Sequence, residues 1–181
     1  MSRIAIPALD DSPEGSKATL DAVNKQLGVV PNLFRLIGNS PTVLNGFTSF
    51  QSATSKTLDV KTRERIALAV AQVNGCGYCL SAHTYLGANL AKISPEEIAL
   101  NRKGKSGDAK ANAAVAFAYK VAQERGHVSD SDISAVRAAG YTDAQLVEIV
   151  ALVAENSFTN YLNEVAKTDI DFPVVKTDEA A

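Results

Sequence analysis

Apolar residues recur along this chain at the spacing expected for helices that bury one face. In the segment that begins at Pro41, for example, Val43, Leu44, Phe47 and Phe50 fall on one side of a helix. Strict alternation of apolar and polar residues over five or more positions, the pattern of a half-buried strand, does not occur. The pattern therefore predicts an all-α fold, a compact bundle of about seven to eight helices.

Capping residues indicate where the helices begin. Ser, Thr or Asp directly before an apolar-periodic segment, or Pro at its first position, is a typical helix start. On this basis helices are predicted to start at Ser12-Pro13, Pro31-Asn32, Pro41, Asp59, Asn74-Gly75, Ser94-Pro95, Ala109, Ser129 and Thr142. In the first of these, Ser12 is expected to be the N-cap and Pro13 the first helical residue.

The chain divides into three predicted regions. Residues 1–12 indicate an irregular N-terminal arm, residues 13–173 a single all-helical domain and residues 174–181 a polar C-terminal tail. A chain of 181 residues is long enough to bury such a core unaided.

Composition and charge exclude several functions. The chain is 46% hydrophobic and 21% charged, it has no Trp, and its net charge is −2. No basic patch stands out, so nucleic-acid binding has no support. The N-terminus lacks the apolar segment of a secretory signal, and no apolar run approaches the roughly 20 residues of a membrane span. A cytoplasmic location is therefore expected.

The candidate chemistry is concentrated in the segment CGYCLSAH at residues 76–83. It contains both cysteines of the chain, spaced C-x-x-C, and one of the two histidines. In the cytoplasm a C-x-x-C pair is more often catalytic or metal-binding than a structural disulfide. The motif indicates a redox protein that cycles between a dithiol and a disulfide.

A helix that begins at Gly75 would place Cys76, Cys79 and His83 within an arc of roughly 60° on one face. Cys76 would lie in the first turn, where free N–H groups and the helix macrodipole lower the pKa of a thiol. His83 would lie one turn after Cys79 and could accept its proton. A peroxide attacked by Cys79 would give a sulfenic acid that Cys76 could resolve. Spacing alone does not decide which thiol attacks first.

Glu64 is the fourth candidate residue. It precedes Cys76 in an otherwise apolar segment. In one continuous helix it would point about 120° away from the thiols. A break at Asn74-Gly75 would instead let two helices pack with Glu64 facing the site. There its carboxylate could orient His83 or accept its proton.

Other interpretations of these residues remain open. Glu64 could form a surface ion pair, His83 could be an ordinary core or surface histidine, and the cysteines could be an inert buried pair. A zinc site could use Cys76, Cys79 and His83, but structural sites usually have four protein ligands and only His127 remains. We therefore predict no metal and no cofactor.

The sequence also resembles a known family. Glu64 followed by Cys76-x-Tyr78-Cys79-x-x-x-His83 looks like the core motif of the carboxymuconolactone decarboxylase / alkylhydroperoxidase D-like family, in its C-x-x-C-x-x-x-H subgroup. Further similarity lies in Val30–Phe34, Arg63–Arg65, Asp108–Lys110 and Phe158–Asn163, so the resemblance covers about residues 25–173.

This resemblance implies an all-helical fold that assembles into trimers or hexamers, with the site near subunit contacts. It implies a thiol peroxidase that reduces hydrogen peroxide or organic hydroperoxides and takes electrons from a thiol or dithiol. By analogy, Cys79 is the peroxidatic residue, Cys76 resolves its sulfenic acid, and Glu64 and His83 form a proton relay.

One position departs from the family pattern. In alkylhydroperoxidase D the residue before the second cysteine is His, whereas here it is Tyr78, so one relay member is missing. The decarboxylase branch generally lacks the cysteine pair, which disfavours lactone chemistry. Two alternatives stay open. One is a dithiol–disulfide oxidoreductase or redox sensor that acts on protein thiols. The other is a non-catalytic oligomeric scaffold in which the cysteine pair is structural or binds a metal.

Overall fold

The structure, a computed structural model, describes residues 2–177, which form nine α-helices and no strand. The helices are α1 (Glu14–Leu27), α2 (Asn32–Ile37), α3 (Pro41–Thr54), α4 (Val60–Val73), α5 (Gly77–Asn89), α6 (Pro95–Arg102), α7 (Ala109–Gln123), α8 (Asp130–Ala138) and α9 (Asp143–Ala166). The all-α prediction is confirmed. The nine helices correspond to the nine predicted starts, and the count passes the expected seven to eight only when the short α2 of six residues is included. Within residues 2–177, no helix combines the length and apolar character that crossing a membrane requires.

Helix α4 lies at the centre of the fold and packs against α5, α6, α7 and α9. Six consecutive residues of α4, 66–71, are buried, so the helix is covered on all sides. Glu64 lies in the turn just before this buried run and is itself only partly exposed. The central position of α4 therefore brings a carboxylate into the interior.

Three apolar clusters form the core. One joins α4 to α7, α8 and α9, and another joins α1 to α3. The third joins α4, α5 and α6 and contains both cysteines and Tyr78. Leu33 of α2 packs against the second and third clusters and so connects them. The C-x-x-C motif is thus part of the core.

Most predicted helix starts are confirmed by side-chain caps. Asp59, Ser94, Ser129 and Thr142 each accept a hydrogen bond from the backbone of the first turn of their helix. The start of α1 was predicted wrongly. Pro13 occupies the N-cap position there, since the hydroxyl of Ser12 donates instead to the carbonyl of Ala8, at 3.1 Å.

The turn between α4 and α5 generates a prediction about stability. Gly75 is exposed and has a φ of +66°, with open space where a Cβ would lie. We expect Gly75→Ala to lower the free energy of unfolding by about 1 kcal/mol, because an L-residue is strained in this conformation. Denaturant unfolding measures the change.

Gly46→Ala is the matched control. Gly46 is exposed in the interior of α3, and its added Cβ would also meet nothing. It should raise the free energy of unfolding by about 0.5 to 1 kcal/mol, because alanine favours a helix over glycine. Equal effects of the two substitutions would contradict the proposed strain at Gly75.

Candidate active site

The cysteines are positioned by the turn between α4 and α5. Asn74 ends α4, Gly75 takes the left-handed conformation, and the N–H of Cys76 donates to the carbonyl of Ala71 at 3.0 Å. Helix α5 begins only at Gly77, so Cys76 is its N-cap residue. The prediction that Cys76 lies in the first turn of the helix was therefore wrong.

As the N-cap, Cys76 uses its sulfur where other helices use a hydroxyl or carboxylate. The backbone N–H of Cys79 donates to Cys76 Sγ at 3.2 Å. Both thiols are reduced and buried, with exposed fractions of 0% for Cys76 and 2% for Cys79. The cap bond holds the two residues close together at the start of α5.

The pKa values of the two thiols are shifted in opposite directions, a difference that the spacing of the motif left open. The pKa of Cys79 is lowered to about 7, chiefly because its sulfur accepts a hydrogen bond from the Cys76 thiol. Burial opposes the thiolate, but the charge of His83 and the side-chain amides of Asn163 and Asn160 favour it. The pKa of Cys76 is raised above its usual range, because its proton is held by Cys79 and because it is buried. Cys79 is therefore the thiolate of the pair.

The structure brings Glu64 and His83 together. Nδ1 of His83 lies 2.9 Å from Oε2 of Glu64, and both side chains are mostly buried. Burial disfavours the imidazolium, but the charge of Glu64 and its hydrogen bond, together with the charges of Cys79 and Glu155, raise the pKa of His83. The pair can hold a proton beside the Cys79 thiolate.

Helix α9 contributes a group of asparagines to the same site. Nδ2 of Asn163 donates to Cys79 Sγ at 3.3 Å, and Nδ2 of Asn74 donates to Oδ1 of Asn160 at 2.9 Å. The sequence analysis assigned these residues no role in the site. A signal was present, because Asn156, Asn160 and Asn163 place polar side chains on the buried face of α9.

A cavity of about 370 Å³ opens onto this cluster. Cys79 and His83 line it, whereas Cys76 and Glu64 do not. Most of the remaining lining is apolar, from Leu27, Val29, Pro31, Leu33, Phe34, Ala82, Leu86, Leu90 and Phe172. A molecule in the cavity would therefore meet the acidic thiol first.

Glu155 of α9 places a carboxylate in the lining of the cavity, and the sequence analysis missed it. Its Oε2 accepts a hydrogen bond from Thr54 Oγ1 at 2.5 Å, and its Oε1 lies 3.5 Å from Nε2 of Gln51. Both partners belong to α3, so these contacts fix the carboxylate between α3 and α9. Glu155 lies 76 residues beyond Cys79 in the sequence, too far for a local pattern to connect them.

The Tyr78 side chain is held by a hydrogen bond and by packing against an aromatic ring. Its hydroxyl accepts a hydrogen bond from the N–H of Leu33 at 3.1 Å, and burial raises its pKa above the usual range. Its ring meets that of Phe172 edge to face, with centroids 5.8 Å apart. The C-terminal segment continues along α5, where the N–H of Val175 donates to Ser81 Oγ at 2.9 Å. Residues 178–181 of the predicted polar tail lie outside the described residues.

His127 was the one further candidate for a metal ligand. His127 is exposed in the loop after α7. Across residues 2–177, no three His, Cys, Asp or Glu side chains are grouped so that they could hold a metal ion.

Part of the chain matches a known protein family. Residues 41–124 match the carboxymuconolactone decarboxylase family, which confirms the resemblance predicted from the motif. This matched segment contains Glu64, both cysteines and His83. No curated protein matches the chain significantly.

Solved structures share the fold. A peroxidase-related protein from Ralstonia eutropha JMP134, described as an alkylhydroperoxidase AhpD core, has 24% sequence identity and a TM-score of 0.83, covering 94% of this chain and 92% of that one. A peroxidase-related protein from Silicibacter sp. TM1040 has 22% identity and a TM-score of 0.81, covering 93% and 91%. The debrominase Bmp8, in complex with 2,3,4-tribromopyrrole, has 18% identity and a TM-score of 0.79, covering 93% and 91%.

The hydrogen bond between the thiols can be tested by titration. We expect Cys76→Ala to raise the pKa of Cys79 by about one to two pH units, because the thiolate loses its main donor. Cys76→Ser is the matched control, since its hydroxyl can still donate and should leave the pKa closer to about 7. The ultraviolet absorbance of the thiolate measures both. An equal pKa in the two variants would contradict this assignment.

Proposed function

We propose that the chain, whose residues 41–124 match the carboxymuconolactone decarboxylase family, is a two-cysteine thiol peroxidase of the C-x-x-C-x-x-x-H subgroup. One observation carries the proposal. The cysteine that lines the cavity, Cys79, is also the one whose pKa is lowered to about 7. A reactive cysteine needs access and thiolate character at once, and Cys79 has both.

The first step oxidises Cys79. Its thiolate attacks the terminal oxygen of a hydroperoxide, the O–O bond breaks, and the alkoxide leaves as an alcohol. His83 supplies the proton for the leaving group, and Glu64 stabilises the imidazolium that makes this possible. The product on the protein is a Cys79 sulfenic acid.

The second step forms a disulfide. The Cys76 thiol attacks the sulfenic sulfur, and the sulfenic oxygen leaves as water. Cys76 is suited to this role because it lies next to Cys79 but does not line the cavity, so a peroxide in the cavity meets Cys79 first. A thiol or dithiol reductant then returns the pair to the reduced state, with its own oxidation to a disulfide.

The burial of the thiols bears on the two alternatives. A protein oxidoreductase exchanges disulfides through an accessible sulfur, whereas Cys79 is 2% exposed and is reached through the cavity. A purely structural pair would have no need of a thiol acidified beside a cavity. Both observations favour a small-molecule substrate.

Assembly and location remain part of the proposal. We expect a homo-oligomer, a trimer or hexamer, in the cytoplasm, where thiols are kept reduced. Support for self-association comes from α9, where Val147, Phe158, Tyr161 and Val165 are exposed. Exposed apolar surface of this kind is typical of protein contacts.

Cysteine variants test the roles of the two thiols. With a peroxide and a dithiol reductant, the wild-type protein should turn over repeatedly, and Cys79→Ser should consume no peroxide. With the reductant left out, Cys76→Ser should react once, giving a sulfenic acid that dimedone traps, because no resolving thiol remains. Peroxide consumption and mass spectrometry give the result. A wild-type protein that fails to turn over, or a Cys79→Ser variant that stays active, would overturn the proposal.

The dependence of the rate on pH tests the Glu64–His83 pair. The rate should rise with pH through about 7 as the Cys79 thiolate forms, and fall at higher pH as His83 loses its proton. The midpoints belong to the coupled pair rather than to either residue alone. Because Glu64 raises the pKa of His83, Glu64→Gln should shift the alkaline limb to lower pH.

Glu148→Gln is the control for this experiment. Like Glu64→Gln, it removes one negative charge, but Glu148 lies on α9 outside the cavity lining. It should therefore leave the pH profile unchanged. If Glu64→Gln left the alkaline limb in place, Glu64 would have no part in proton transfer.

A further inference from the structure

The cavity is far larger than the group that reacts in it. A peroxide group is comparable to one or two water molecules, each of which occupies roughly 30 Å³ in the liquid. The cavity volume is about 370 Å³, within the range of sites that bind organic molecules. Most of the space therefore surrounds the part of the substrate that carries the peroxide.

The walls are suited to an apolar group. Leu33, Phe34, Leu86 and Phe172 line the cavity. The apolar lining continues to the surface at Leu27, Val29, Tyr85 and Leu90, which are all exposed. Burial of an apolar group against these side chains would contribute to binding.

Apart from the imidazolium of His83, the charged groups at the cavity are negative. Glu155 is ionisable and is fixed at the wall by Thr54 and Gln51, and the Cys79 thiolate adds a second negative charge. Among the described residues that line the cavity, none is Lys or Arg. A carboxylate on the substrate would lose water without finding a cationic partner, and would be repelled by Glu155.

We propose that Glu155 is a specificity-determining residue that restricts the site to neutral organic hydroperoxides and excludes those that carry a carboxylate. This inference rests on the proposed peroxidase function and leaves its chemical steps unchanged. Glu155 acts on substrate choice through its charge, while Cys79 and His83 carry out the reaction.

A matched pair of substrates tests the proposal. Cumene hydroperoxide with a para carboxylate and its methyl ester differ chiefly in charge. The wild-type protein should prefer the ester in kcat/KM by about tenfold or more, as expected for a like-charge interaction in a partly screened cavity. Glu155→Gln keeps an oxygen that accepts from Thr54 but removes the charge. The preference should then fall several-fold, because the repulsion by Glu155 is removed while the desolvation cost of the carboxylate remains.

Glu148→Gln is the control, since it removes a carboxylate from the same helix outside the cavity lining and should keep the wild-type preference. The ratio of the two kcat/KM values separates specificity from structure, because a general loss of activity would lower both values together. Equal use of both substrates by the wild-type protein, or an unchanged preference in Glu155→Gln, would overturn the proposal.

A second measurement keeps this inference distinct from the proposed function. The alcohols that correspond to the two hydroperoxides cannot react, so calorimetry can compare their affinities whether or not the protein turns over. Tighter binding of the ester alcohol, with a smaller difference in Glu155→Gln, would support charge selection even if peroxide turnover failed. Equal affinities in the wild-type protein would overturn it even if turnover succeeded.

Discussion

The turn that separates α4 from α5 is the constraint on which the rest of the site depends. A single helix through this region would point Glu64 about 120° away from the thiols. Instead, Gly75 adopts a φ of +66° and the N–H of Cys76 closes onto the carbonyl of Ala71, so α5 packs back against α4. The amide of Asn74 also donates to Asn160 of α9. One short turn thus places Glu64 beside His83 and anchors α9 next to the cysteines.

The same turn explains why two neighbouring cysteines behave differently. Cys76 is the N-cap, so its sulfur accepts from the backbone while its proton is directed to the second sulfur. Cys79, inside the helix, receives hydrogen bonds from Cys76 and from Asn163, and it also experiences the charge of His83. In a buried environment these interactions are strong because water screens them little. The helix start alone would have favoured the thiol nearest to it. The Cys76 thiol has the largest effect, and His83 of α5 and two asparagines of α9 add to it.

The sequence was informative where structure is local and uninformative where it is not. Helix starts at Asp59, Ser94 and Thr142 were predictable because a cap bonds to its own first turn. The meeting of Glu64 with His83 was predictable because the two flank a recognisable break. Asn163 and Glu155 were missed, since they reach the site only through the packing of α9 against α3, α4 and α5. Spacing left open which thiol is the more acidic for the same reason, because part of the stabilisation of the Cys79 thiolate comes from α9.

The hydrogen bonds that stabilise the Cys79 thiolate also have a consequence for the reduction potential of the cysteine pair. Contacts that lower the free energy of the dithiol form, and that a disulfide cannot keep, raise this potential and make the disulfide easier to reduce. The Cys76 thiol cannot donate to Cys79 once the two sulfurs are bonded, and a neutral sulfur is a weaker acceptor for Asn163 than a thiolate. The geometry that activates Cys79 therefore also favours recovery of the reduced protein by a mild reductant.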